Sequence, residues 1–169
     1  MAITPTFLRL THTEAVVKMA ATTNDSGTIS LAGTAGSTGL ATANQVVMGS
    51  TGPRVSIAGV TWTGANNTEI TITRGSTRVM TLPCAGSSTI DFTGQVLPLE
   101  NTNDQNDIIV GITTAVGTGA TGAANGQVWL KLRKTTGYAT MIEDATYGAY
   151  DDPNRVGAST TMSGSPDKV

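Results

Sequence analysis

The stretch RVSIAGVTWTGANNTEITITRGSTRVMTLP, residues 54–83, decides the fold class of this chain. Val55 and Ile57 alternate with polar neighbours and share one face, as in a half-buried strand. Ala58-Gly59 then slips the phase by one residue, so that Val60 and Trp62 take over the apolar positions. Such a slip is the mark of a β-bulge, and glycine tolerates one well. Gly64-Ala-Asn-Asn67 reads as a turn. Ile70 and Ile72 resume on one face with Thr71 and Thr73 on the other, Arg74-Gly-Ser76 reads as a second turn, and Val79 to Leu82 returns. The stretch predicts a meander of three antiparallel strands, with the rest of the chain packing against it.

The same alternation extends outward in both directions. Phe7 to Leu10 predicts a strand with Leu8 and Leu10 on one face. Ala15 to Ala21, with Val17 and Met19 together, reads as strand rather than helix because Thr22, Thr23 and flanking strands surround it. Asn24 to Gly27 is a turn signal, and Thr28 to Leu31 alternates cleanly. A short helical turn is expected near Ala41 to Gln45, and a brief strand over Gln45 to Met48. Ser88 to Thr93 places Ile90 and Phe92 inside, while Pro98 restricts Val96 to Leu99 to an edge or an irregular link. Ile108, Val110 and Ile112 share a face. The cleanest strand is Gln127 to Arg133, with Val128, Leu130 and Leu132 inward and Trp129, Lys131 and Arg133 outward. Glycine-rich loops fill 33–39 and 117–126, and Asn101 to Asp107 is a polar loop. These short strands with turns between them predict an all-β protein. The expected architecture is an antiparallel β-sandwich or flattened barrel of about eight to ten strands over residues 1–136. An extended C-terminal arm and tail, residues 137–169, carries Tyr138, Tyr147, Tyr150 and Arg155 among turn formers and acidic groups.

Composition narrows the function classes. The 169 residues suit one domain, and only 13% are charged and 4% aromatic. An average soluble domain is roughly 25% charged. Thr, Ser, Gly and Ala take up the difference, which gives strands and turns a weakly charged surface suited to being covered by neighbours in an assembly. The formal net charge of −2 provides no steering field for nucleic acid or acidic membranes. Lys131-Leu-Arg133-Lys134 is the one basic cluster, read as a solvated strand face. The N-terminus lacks the pattern of a secretion signal, and no apolar run approaches transmembrane length.

The motifs that could carry chemistry each fall short of their mechanism. Gly117 to Gly122 matches G-x-G-x-x-G, but a strand follows where a phosphate-binding helix is required. His12 is the single histidine and has no serine elbow or ligand set to serve. Glu100 to Asp107 is rich in oxygens but lacks the spacing of a calcium loop. The pairs Glu143-Asp144 and Asp151-Asp152 are adjacent on the arm and cannot be held across a cleft. The sequons at Asn24 and Asn66 read as turns. Cys84 reads as a small buried thiol and Trp62 as core, whereas Trp129 points outward, to be covered by the arm or to meet a partner. The expectation is a protein that is not an enzyme and that uses no cofactor or metal.

The Thr/Gly/Ala-rich strands from Phe7 to Arg133, the glycine-rich loops and the arm from Tyr138 together resemble small virion structural proteins of tailed bacteriophages, in particular capsid decoration-type proteins of marine phages. The resemblance covers most of the chain and carries over no site residue. It implies a β-sandwich present in many copies on the virion, made in the host cytoplasm, with the major capsid protein and copies of itself as partners. Nucleic acid and membrane are not expected as partners. Trp129, Tyr138, Tyr147, Tyr150 and Arg155 are the expected partner interface. The alternative is a tail, neck or fibre-associated component with a carbohydrate- or receptor-binding sandwich, in which Trp129 stacks on a sugar ring.

Overall fold

Alternating strands bury one face each, and the described residues contain ten of them. A computed structural model describes residues 2–34, 39–42, 45–47, 52–92, 104–115 and 123–140. In chain order these are β1 (Thr6–Leu10), β2 (Glu14–Ala21), β3 (Asp25–Thr34), β4 (Gly39–Ala41), β5 (Gln45–Val47), β6 (Arg54–Arg74), β7 (Thr77–Asp91), β8 (Ile108–Thr114), β9 (Gly126–Thr136) and β10 (Tyr138–Thr140). The main sheet runs β1-β2-β9-β6-β8-β3-β4, with β7 paired to β6, and β5 and β10 form a separate two-stranded sheet. The expected all-β sandwich or flattened barrel is the fold observed.

The organising element is β6, and it differs from the meander expected over residues 54–74. Its first half, to Gly64, pairs with β9, whereas its second half, from Thr68, pairs with β8. The two halves do not pair with each other, and β7 accompanies both along the opposite side. Gly64 to Asn67 is therefore a corner between layers rather than a hairpin turn. The reason lies in the neighbouring chain. The amide of Ala65 donates to the Asn125 carbonyl at 2.8 Å, and the Asn67 carbonyl accepts from the Ala115 amide at 2.8 Å. Thr68 seals the same corner, its hydroxyl accepting from the Asn125 amide at 2.9 Å.

Space at the corner is short. A Cβ added at Gly64 would lie 2.7 Å from the Asn125 carbonyl oxygen and 2.9 Å from the Cys84 sulfur. Because one of those neighbours is backbone, Gly64→Ala is expected to destabilise the fold by about 1–2 kcal/mol, within the range for overpacking. A thermal melt reads this directly, and an unchanged midpoint would refute the tight corner. Cys84 itself is buried, and burial pushes its thiol pKa up, as expected for a packed cysteine.

The core lies between the layers. Val17 and Met19 of β2, Val128, Leu130 and Leu132 of β9, and Val55, Ile57, Val60 and Trp62 of β6 line one side. Ile70 and Ile72 of β6, Ile108, Val110 and Ile112 of β8, and Ile29 and Leu31 of β3 line the other. The bulge expected at Ala58-Gly59 is present as a register shift between Ile57 and Gly59 against β9, and it returns Val60 and Trp62 to the core. The Trp62 indole N–H donates to the Pro83 carbonyl at 3.1 Å. Pro83 sits in β7, which pairs only with β6 among the described residues, so it occupies an edge strand, where proline is tolerated.

Several local expectations change. Leu8 is 56% exposed, while Phe7 and Leu10 pack on the core, because β1 shifts register between Phe7 and Arg9. Gly27 lies inside β3 rather than in a turn; a side chain there would overlap the Ile3 carbonyl and crowd the Met19 methyl. Ser88 to Asp91 continues β7 instead of forming a separate strand. Ala41 ends β4 and Gln45 begins β5, and where a short helical turn is expected between them the Gln45 amide donates to the Thr42 carbonyl at 3.0 Å, closing one turn; residues 43 and 44 lie outside the described residues. The edge or irregular link expected at Val96 to Leu99 lies outside the described residues, as does most of both glycine-rich loops.

The chain does not leave the body at residue 137. β10 pairs antiparallel with β5, and the Tyr138 hydroxyl donates to the Leu31 carbonyl at 2.8 Å. A chain ended at Thr136 is therefore expected to lose roughly 2 kcal/mol relative to one ended at Thr140, from a hydrogen bond and a packed ring. Equal urea midpoints for the two would show that β10 contributes nothing.

Candidate functional site

Two features stand out from an otherwise ordinary sandwich: an outward face built around Trp129 and a polar cluster buried at one end. The pleat sends alternate residues of β9 outward, and pairing aligns them with outward residues of four other strands. Thr6, Lys18, Trp129, Thr61 and Thr89 form one row across β1, β2, β9, β6 and β7. Arg9, Val16, Lys131, Gly59 and Asp91 form the next. Trp129 is half-buried, and the Lys18 ammonium lies 5.6 Å from its ring centroid, within cation–π range. The Thr61 and Thr89 hydroxyls are hydrogen-bonded at 3.1 Å. Because Gly59 has no side chain, the second row has a gap, and there the face carries a depression of about 240 Å³. Trp129, Lys131, Thr61, Thr89, Ile90 and Asp91 surround it.

The second feature sits where both ends of β6 meet. Arg74 is fully buried and donates from one terminal nitrogen to the carbonyls of Asp104 at 3.4 Å and Asn106 at 3.2 Å. Its other terminal nitrogen donates to the Val55 carbonyl, so the guanidinium ties the end of β6 in one layer to its beginning in the other. Burial pulls the Arg74 pKa down to about 10, with Asp104 and Tyr138 opposing, and the group stays cationic at neutral pH. Asp104 also accepts from Arg54 at 3.2 Å, and Asp107 accepts from the Leu31 amide at 2.8 Å.

Lys134 lies beside this cluster. Its ammonium donates to the Thr11 carbonyl and to Gln45 Oε1, both at 2.7 Å, and sits 4.9 Å from the Tyr138 ring centroid. Gln45 is itself buried and donates to the His12 carbonyl at 2.8 Å. Desolvation lowers the Lys134 pKa to about 8, while burial raises that of the Tyr138 phenol. Arg74, Lys134, Gln45 and Tyr138 all donate to carbonyl or amide oxygens, which is the arrangement of a fastening.

The expected interface residues separate. Trp129 is on the outward face. Tyr138 belongs to the buried end, since its ring and hydroxyl are used within the body, so it is not an exposed arm residue. Tyr147, Tyr150 and Arg155 lie outside the described residues. Arg74 and Lys134, expected in a turn and on a solvated face, both occupy the inward phase of their strands. Arg74 follows Ile70 and Ile72 by twos, and Lys134 follows Leu130 and Leu132. Extending the alternation one step past the last apolar residue would have found them. Gly59 as the floor of a depression had no such signal, because only pairing brings Lys131 and Asp91 to either side of it. Among the described residues, no group of three or more His, Cys, Asp or Glu is placed to hold a metal ion. No protein-family model, curated protein or solved structure matches the chain. Its class is therefore the one its own architecture defines, an all-β sandwich fastened at one end and, among the described residues, uncovered on the outer sheet face around Trp129.

Proposed function

We propose that the chain is a non-enzymatic structural protein of a phage virion, a capsid decoration protein that binds the outer shell in many copies. The carrying observation is that the described residues form a packed β-body by themselves: among them the core is drawn from residues 3–132, with Tyr138 packed against it. The sequence that follows carries Tyr147, Tyr150 and Arg155, and in the proposed assembly these pack on a neighbouring subunit. The resemblance to phage decoration-type proteins supports the same reading, as does the weakly charged, threonine-rich surface. Many weak contacts repeated over a lattice hold firmly by avidity, without a deep pocket.

Co-sedimentation of the full chain with empty phage shells lacking it tests the proposal. Saturable binding at a fixed ratio to the major capsid protein is the expected result. No binding by protein of intact fold would refute it. A second reading, a glycan- or receptor-binding component of a tail or fibre, is favoured by one specific observation, the Trp129 depression.

A further inference from the structure

We infer that the depression beside Trp129 is a binding site for one neutral hexopyranose unit of a cell-surface polysaccharide. The inference rests on the second reading and is independent of the decoration proposal. Four features of the site point to this ligand class. First, a pyranose presents an apolar C–H face and a hydroxyl rim, so it needs an aromatic plane beside polar groups of both kinds. Trp129 supplies the plane, held in place by Lys18. Thr61, Thr89, Asp91 and Lys131 supply hydroxyl, carboxylate and ammonium partners around the same depression.

Second, the floor is low where the ring would sit. Lys131 and Asp91 both pair with Gly59, one on each side. Their backbones are therefore two strand spacings apart, roughly 10 Å, enough to admit one sugar ring between them. A Cβ at Gly59 would stand 3.7 Å from that of Lys131 and project into this gap. Third, the volume of about 240 Å³ is suited to a single ring and not to an extended chain. Fourth, the lining carries one cation and one anion, Lys131 and Asp91. That balance disfavours the uronic or sialic acids that a basic cleft would select, and it disfavours a phosphorylated ligand equally. The site is shallow, so single-site binding is weak, and firm attachment to a polysaccharide requires several copies to bind at once.

Affinity electrophoresis of the full chain tests this, in native gels containing mannan, dextran, galactan or laminarin, with polygalacturonate as the anionic control. Retardation by at least one neutral polysaccharide is expected. Trp129→Ala should weaken it by about tenfold or more, the effect of truncating the aromatic anchor of a small site. Lys131→Ala, an exposed position, should weaken it less while leaving the fold intact, so the site remains testable if the tryptophan variant unfolds. The inference is overturned if no neutral polysaccharide retards the protein, if only polygalacturonate does, or if a folded Trp129→Ala chain is retarded like the parent. Shell co-sedimentation of the same Lys131→Ala protein reports on the decoration proposal separately, and unchanged shell binding is expected.

Discussion

Arg74→Leu is expected to cost about 3–5 kcal/mol of folding stability, the loss that follows when one partner of a buried charged cluster is removed. Leucine preserves most of the apolar stem but supplies no donor. The carbonyls of Val55, Asp104 and Asn106 then lose the guanidinium, and unsatisfied buried groups cost about 1–3 kcal/mol each before relaxation. Topology amplifies the effect. β6 begins in one layer, crosses at the Gly64 corner and ends in the other, so Arg74 closes the strand on itself at the far end. Arg74→Lys should recover only part of the loss, because one ammonium cannot reproduce a planar fork aimed at both layers. Urea unfolding at neutral pH provides the measurement. A loss below about 1 kcal/mol for the leucine variant would show that the carbonyls find other donors, and the clamp would be abandoned.

Lys134 is expected to make stability rise with pH across a window where most proteins are flat or declining. Its pKa is about 8 in the folded chain, against 10.5 for an unperturbed lysine, because burial disfavours the charged form. Between those values the unfolded chain holds a proton that the folded chain has released, so raising the pH favours folding. Below about 8 both states are protonated and the burial penalty is present in full. Between pH 7 and 10 the expected gain is about 2 kcal/mol. The neutral amine can still donate to the Thr11 carbonyl and Gln45, so the fastening survives deprotonation. Above pH 10 Tyr138 acts in the opposite sense. Burial holds its phenol protonated, while the unfolded chain loses that proton near 10.0, so stability then falls as pH rises. Unfolding curves for the parent and Lys134→Met at pH 7, 8, 9 and 10 separate the lysine contribution. Parallel pH profiles for the two would refute it.

Much of this architecture is written in the alternation of the chain. Ile108, Val110 and Ile112, and Val128, Leu130 and Leu132, declare their inward faces through period-two spacing alone. The Ala58-Gly59 bulge is legible because the apolar phase must slip there to keep both Val55 and Trp62 inside. Local spacing reports which face a residue takes, since the pleat fixes it without reference to any partner. It does not report which strands are neighbours. Gly64 to Asn67 has the composition of a hairpin turn, and only Asn125 and Ala115, bonded to its backbone, make it a corner between layers. Leu8 departs from the face that alternation assigns it because a bulge in β1 is set by its pairing with β2, and not by its own five residues.

The sites divide along the same line. That Trp129 faces outward follows from its neighbours on β9, and Arg74 and Lys134 were within reach of the same rule, although charge concealed their inward phase. The sequence determined an all-β fold class, the inward faces of its strands, its buried Trp62 and Cys84, and one outward tryptophan. Tertiary structure alone decided that β6 spans both layers, that Arg74 and Tyr138 fasten the same end, and that Gly59 opens a gap between Lys131 and Asp91. The physical reason is that side-chain direction is a local property of the pleat, whereas strand partnership is settled by cross-strand pairing and core burial between segments far apart in the chain.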